Sequence, residues 1–190
     1  VRDLVYFIAT TLDGFVAGPD HEVDLFTMDP GYLAQLCADW GDGMPTAAHA
    51  AFGTSPSLSR WDTAVMGRTT FEPAIEAGIP DPYAHLDTYV FSTTLAPQDH
   101  RGVTIVATDP AAFVRDLKFR DGGAIWLCGG GSLAAALADE VDRLVLKINP
   151  VTAGSGVRLF EGPFQPRAWH HESTRAFDAG VLLVEYSRVR

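Results

Sequence analysis

Ala124-Ile125-Trp126-Leu127-Cys128-Gly129-Gly130-Gly131-Ser132-Leu133 is the stretch on which the fold turns. Ala124 to Cys128 is a short apolar run and reads as a buried strand of a parallel sheet. Ser132 to Asp139 is a compact helix of small and apolar residues. A tight strand-to-helix turn needs one or two glycines. Three in a row let the backbone approach a ligand closely and take positive φ. The helix behind them offers unpaired N–H groups and the positive end of its dipole to an anion. The run lacks G-x-G-x-x-G spacing and has no Lys after the glycines, so neither the dinucleotide fingerprint nor a P-loop is present.

The same strand, turn and helix grammar occurs upstream. Thr63 to Met66 is a strand, Gly67 turns the chain, and Arg68-Thr69-Thr70-Phe71 leads into a short helix, Thr70 to Ala77, with Pro73 in its first turn. Arg68 adds a fork of donors suited to a phosphate dianion. Taken alone, a capped helix with a surface Arg accounts for these residues better. Thr88 to Ser92 is another strand, ending in Ser92, Thr93 and Thr94. Those hydroxyls either bind a ribose or phosphate beyond the strand ends, where open α/β sheets gather ligands, or cap a local turn.

Working outward, Leu4 to Ala9 is a buried strand and Thr10 to Asp20 a Gly- and Asp-rich loop. Pro30 to Trp40 has helical spacing. Met44 to Arg60, full of Pro, Gly, Ser and Ala, reads as a mobile flap or irregular linker. Val103 to Ala107 is a strand, and Asp109-Pro110 opens a helix to about Phe119, with Asp at the cap and Pro at the first position. Leu144 to Ile148 is a strand followed by a loop, Pro150 to Gly156. His170 to Phe177 and Val181 to Val189 pair through Asp178-Ala179-Gly180 as a hairpin. Strands alternating with short helices, then an antiparallel hairpin, imply an α/β fold with a mostly parallel sheet. No linker splits residues 1–190 into two units, so one domain is expected.

Composition narrows the function. With 47% hydrophobic and 20% charged residues the chain is globular. A net charge of −10 without a basic run argues against nucleic acid. No apolar run approaches the roughly 18 residues of a membrane span. Val1 to Ala9 has no signal-peptide pattern. Cys37 and Cys128 lie far apart and fit a reduced, cytoplasmic protein. The histidines show no H-x-x-x-H, and the adjacent His170 and His171 point to opposite faces of a strand, so no metal site is expected.

Five motifs in order resemble the dihydrofolate reductase superfamily, and more closely the reductase domain of the bifunctional riboflavin biosynthesis enzyme and its stand-alone relatives. Thr11-Leu12-Asp13-Gly14 with Ala17-Gly18 is similar to S-x-D-G-x-x-A. Val65 to Glu72 is similar to V-M-G-R-x-T-x-E. Ser92 sits where the family ends a strand in serine. Gly129-Gly130-Gly131-Ser132-Leu133 matches the glycine motif before the cofactor-facing helix. Pro150-Val151, Gly154, Gly156, Leu159 and Phe160 resemble P-V-x-x-G-x-G-x-x-L-F. The resemblance implies a three-layer dihydrofolate reductase-like fold, a homodimer, and NADPH as cofactor.

By the same resemblance Arg68 holds the 2′-phosphate with Thr93 or Thr94. Thr69, Thr70, Gly130, Gly131 and Ser132 sit at the pyrophosphate, Gly67, Ser92, Gly129 and Leu133 belong to the same cofactor site, and the nicotinamide lies near Ala9, Val16 and Gly18. A cis peptide is implied at Gly129–Gly130. The stretch Asp24-Leu25-Phe26 lacks the Pro-Trp pair of folate reductases, and the deaminase pairing of H-x-E with a P-C-x-x-C is absent. The expected activity is hydride transfer to a small planar heterocycle, pterin-like or aminopyrimidine-like. The alternatives are a non-catalytic NADPH-binding protein and a dihydrofolate reductase with an unusual acid. Asp13 is the first candidate for the acid, beside its reading as a turn carboxylate. Asp24, Asp29 and His21 follow it. Trp40, Phe26, Trp61 and Phe52 are candidates for a planar-substrate pocket, beside their reading as core.

Overall fold

The strand Leu4–Thr10 (β1) lies in the middle of the molecule, as its apolar run requires. In the computed structural model, which describes residues 1–189, the other elements follow in chain order. They are β2 (Phe15–Ala17), α1 (Pro30–Trp40), α2 (Thr46–Phe52), β3 (Trp61–Gly67), α3 (Arg68–Glu76), β4 (Asp87–Phe91), β5 (Thr104–Val106) and α4 (Pro110–Lys118). Then come β6 (Ala124–Gly129), α5 (Gly131–Ala136), β7 (Arg143–Ile148), β8 (Val157–Arg158), β9 (Trp169–Ala176) and β10 (Leu182–Arg188).

Eight strands form one sheet in the order β5-β4-β3-β6-β1-β7-β10-β9. The first six are mutually parallel. β10 runs antiparallel to β7 and pairs with β9 as the expected hairpin. Alternating side chains supply two cores, one on each face. Phe7, Trp126 and Val145 meet Tyr32, Leu36 and Trp40 of α1 and Phe71 of α3. Tyr6, Leu127 and Leu144 meet Val114 and Leu117 of α4 and Leu133 of α5. The result is the three-layer α/β architecture, helices on both faces of a mostly parallel sheet.

Local chemistry explains most element ends. Asp29 and Asp109 accept from the N–H groups of Tyr32 and Ala112 and cap α1 and α4, each with Pro at the start. Several expectations change. The loop Thr10 to Asp20 contains β2, which pairs with β8 from far along the chain. Three-residue strands made by distant partners leave no periodic signal. α3 begins at Arg68, directly after Gly67, so Pro73 lies in its interior and not in its first turn. α5 begins at Gly131 and ends at Ala136, shorter than the run of small residues suggests.

Residues 44–60 are not a free flap. They hold α2, and the rest is tied to the buried Asp42, whose carboxylate accepts from the N–H groups of Ser57, Leu58 and Arg60 at 2.8, 2.8 and 3.0 Å. Burial works against ionisation of Asp42, but those N–H groups hold its carboxyl below the usual range. Trp40 and Trp61 are core and not pocket lining. Phe7 lies between them, its centroid 5.2 Å from each ring. Phe26 and Phe52 are half-buried and do not line the cleft described below.

Candidate active site

The register of the sheet brings the two glycine turns together. Met66 of β3 lies opposite Gly129 of β6, so Gly67 and Gly130 become neighbours. A Cβ on Gly67 would stand 3.8 Å from the Gly129 carbonyl and 3.9 Å from the Gly130 nitrogen. Gly67 is the cap of α3 and Gly130 the cap of α5, and neither helix has a side-chain cap. The first-turn N–H groups of both helices therefore begin at the same place with no protein side chain to receive them.

The three glycines have three different reasons. Gly129 has φ of 141°, open in practice only to glycine. Gly131 is packed: a Cβ there would fall 2.0 Å from the Arg158 carbonyl oxygen. Gly130 has an ordinary φ, and a Cβ would meet only the Thr70 hydroxyl, at 3.6 Å. The Gly129–Gly130 peptide is cis, as the resemblance implies.

A cleft of about 610 Å³ opens over these turns. Of the residues singled out in the sequence, Val16, Gly67, Arg68, Thr69, Thr70, Gly129, Gly130, Gly131, Ser132 and Leu133 line it. His21, one of the lesser acid candidates, lines it as well. Ala9, Gly18, Ser92 and Thr93 do not. Gly18 serves a tight turn against Glu22, where a Cβ would meet the Glu22 carboxylate at 2.2 Å. The Ser92 hydroxyl accepts from the N–H groups of Thr94 and Leu95, the local cap. Of the two threonines expected beside Arg68 it is Thr94 that touches it, its hydroxyl accepting from Arg68 Nη1 at 3.2 Å. Arg68 also holds Glu72 at 2.7 Å in an exposed pair one helical turn away. Such pairs are worth ~0–1 kcal/mol, so the guanidinium is readily exchanged to a stronger anion.

Asp13 is not at the cleft, which corrects its reading as the acid. Its carboxylate accepts from the Thr11 hydroxyl at 2.6 Å and from the N–H groups of Ala153 and Gly154 at 3.0 and 2.7 Å. Those bonds, the Thr11 hydroxyl first, pull its pKa down to about 2. It staples the loop before β2 to the loop before β8 and holds no proton near neutral pH. Asp29 is committed to capping α1, and Asp24 is exposed and does not line the cleft.

The groups that sequence reasoning passed over lie at the inner end. Tyr83 and Cys128 line the cleft, with the thiol 3.9 Å from the phenol oxygen. Burial pushes the Cys128 thiol up to about 11 and the Tyr83 phenol well above its ordinary value. Cys128 could have been found from its position one residue before the glycines. Tyr83 stands in an aperiodic Pro- and Gly-rich connection that carries no such signal. Glu161, also on the cleft wall, is brought in by its N–H bond to the Gly131 carbonyl at 3.0 Å.

Known proteins resemble this chain in sequence and in fold. The chain is 28% identical to the uncharacterized protein YwjB of Bacillus subtilis over 184 residues, 96% of each chain. Among solved structures, the diaminohydroxyphosphoribosylaminopyrimidine deaminase/5-amino-6-(5-phosphoribosylamino)uracil reductase of Thermotoga maritima superposes with a TM-score of 0.65 at 15% identity, over 99% of this chain and 57% of that one. Dihydrofolate reductase of Enterococcus faecalis, solved with NADP(H) and RAB-propyl, gives 0.65 at 15% identity, over 98% and 96%. The family profile of the RibD C-terminal domain covers residues 2–183, nearly the whole length, and to that family the chain belongs.

Proposed function

We propose that this protein is an NADPH-dependent reductase that hands a hydride to a small planar heterocycle of the pyrimidine or pterin type. The observation that carries this reading is the meeting of two uncapped helix starts, α3 and α5, with the Arg68 fork on the wall of one cleft. A dinucleotide diphosphate supplies the acceptors that these N–H groups lack. Gly130 leaves room for it, since nothing but the Thr70 hydroxyl stands where a Cβ would be. Arg68, with Thr94 beside it, suits the 2′-phosphate that distinguishes NADPH from NADH. Membership of the RibD C-terminal domain family supports the same reading, as do a uracil reductase and an NADP(H)-bound dihydrofolate reductase among the similar folds.

The bound dihydronicotinamide would supply the hydride, and the protein supplies everything else. Val16 and Ala17 on one wall and Cys128 on another line the cleft with mostly apolar surface. A planar ring held there is shielded from water. The fold analogue in which a helix carboxylate faces the substrate is not reproduced. α1 spends Asp29 on its own cap and Asp39 on Arg175. The reading is tested by following NADPH absorbance with dihydrofolate, oxidised pterins, flavins, quinones and aminouracil ribitols. Consumption with an aminouracil or pterin is expected. Tight NADPH binding without consumption of any acceptor would instead identify a non-catalytic binding protein.

A further inference from the structure

Most polar side chains on the cleft wall are already accounted for. Arg68, Thr69 and Thr70 open α3 and Ser132 opens α5, at the two turns assigned to the dinucleotide. His21 and Glu161 are exposed. Two groups remain, the buried Cys128 and the half-buried Tyr83.

Tyr83 is fixed from its backbone outward. Its N–H donates to the Asp81 carboxylate at 2.8 Å, and its carbonyl accepts from the Leu86 N–H at 2.7 Å. The same carboxylate accepts from the Thr88 hydroxyl on β4 at 3.2 Å. The ring stands perpendicular to that of Trp126 on β6, with centroids 4.8 Å apart. Trp126 is stacked on Trp61 and donates to the Phe7 carbonyl at 2.9 Å. The phenol is thus mounted on the rigid centre of the sheet, and side chains held this way make precise contacts with a ligand.

The hydroxyl end is less well served. Its one hydrogen-bond contact among the described residues is the Cys128 thiol, which donates to the phenol oxygen at 3.9 Å. The phenol's own hydrogen has no oxygen or nitrogen acceptor among the described residues, and the sulfur is a weak one. Polar hydrogens in a partly closed site are nearly always paired, so the missing acceptor is one a ligand brings. Burial holds the phenol well above its ordinary pKa and the thiol up at about 11, so both keep their hydrogens at neutral pH.

We propose that the Tyr83 hydroxyl sets substrate specificity in this cleft. It donates to an oxo oxygen on the edge of the heterocycle and discriminates against the same ring carrying an amino group there. The inference rests on the reductase reading and narrows its substrate to an oxo-heterocycle. An amino group facing Tyr83 brings hydrogens to an oxygen that already accepts from Cys128, and it leaves the phenol hydrogen unpaired. An oxo oxygen accepts that hydrogen and leaves the thiol contact in place.

The test uses a matched pair of planar bicycles, quinoxalin-2-one and 2-aminoquinoxaline. Both are uncharged at neutral pH, and they differ in the oxo or amino group. Affinities come from ligand-observed NMR titration of the whole chain, with and without NADP+. Wild type should bind the oxo probe about tenfold more tightly than the amino probe. Tyr83→Phe keeps the ring against Trp126 and removes only the hydroxyl, and its melting curve reports whether it is folded. It should weaken the oxo probe about fivefold to tenfold and leave the amino probe within about twofold, erasing most of the preference. Cys128→Ala, which removes the thiol and keeps the phenol, should retain the preference. An equal or reversed preference in wild type would overturn the proposal without recourse to any variant. So would no binding of the oxo probe with or without NADP+, or an oxo-probe affinity untouched in folded Tyr83→Phe. NADPH titration decides the reductase reading separately. Its failure, with the Tyr83-dependent oxo preference intact, would remove that reading and leave the oxo-selective donor. NADPH binding without the preference would remove this inference alone.

Discussion

On the proposed reading, Arg68 is the residue on which cofactor choice depends. It is exposed and shared between Glu72 and Thr94, and a 2′-phosphate dianion would replace the weaker of these contacts. Charge-assisted bonds are worth roughly 1.5–3 kcal/mol, less at a wet rim, which converts to about a tenfold to hundredfold preference for NADPH. Arg68→Ala should lose that preference, leave NADH affinity nearly unchanged, and show less dependence on salt than wild type. Parallel losses for both cofactors in calorimetric titration would remove Arg68 from the 2′-phosphate. Gly130→Ala and Gly131→Ala should separate two roles that the glycine run hides. The first adds a methyl facing Thr70 and should weaken NADPH while leaving the melting curve intact. The second forces a methyl against the Arg158 carbonyl and should lower stability. The sequence showed that glycine was needed at 129–131, but not that position 131 serves β8, because Arg158 lies far along the chain. Asp13 was misread for the same reason: its partners Ala153 and Gly154 come from the other end of the sequence.

Elements with strong internal signals were legible, and those made by distant partners were not. α1 and α4 carry an Asp cap, a Pro and an apolar face, and both stand where these cues put them. The stretch 44–60 looked irregular because the partners that order it lie outside it: Asp42 holds residues 57–60, and Pro82 and His85 hold Thr46. Asp42→Ala would leave the N–H groups of Ser57, Leu58 and Arg60 without that acceptor. The expected cost is about 3 kcal/mol, read by denaturant unfolding. The folded pKa of Asp42 lies below its unfolded value of about 3.9. Its contribution is therefore complete above that pH and is lost as pH falls through the lower, folded value. Wild type and Asp42→Ala should converge in stability under acid. A constant difference between them down to low pH would show that the carboxylate is not what ties the segment.

On the scale of the whole molecule, the sheet order gathers at the carboxyl ends of neighbouring strands what the chain keeps apart. β3 and β6 become neighbours although about sixty residues separate them, and only this adjacency turns two ordinary glycine turns into one candidate anion site. The order of motifs was enough to anticipate the architecture, since each marks the end of a parallel strand. The inner end of the cleft was not anticipated: Tyr83 comes in by tertiary placement and matches no motif, and Cys128 stands just ahead of the glycine run that drew the attention. Occupancy of the cleft should stabilise the whole fold. NADPH at about a hundred times its Kd adds ~2.7 kcal/mol, a rise in Tm of roughly 5–10 °C for a chain of this size. The most direct test of the account is calorimetric titration of NADPH and of NADH into the wild-type protein, with Gly130→Ala as the control. One NADPH per chain, bound about tenfold to a hundredfold more tightly than NADH and markedly weakened in Gly130→Ala, is the predicted result. No binding of either cofactor, or NADPH affinity untouched by Gly130→Ala, would contradict it.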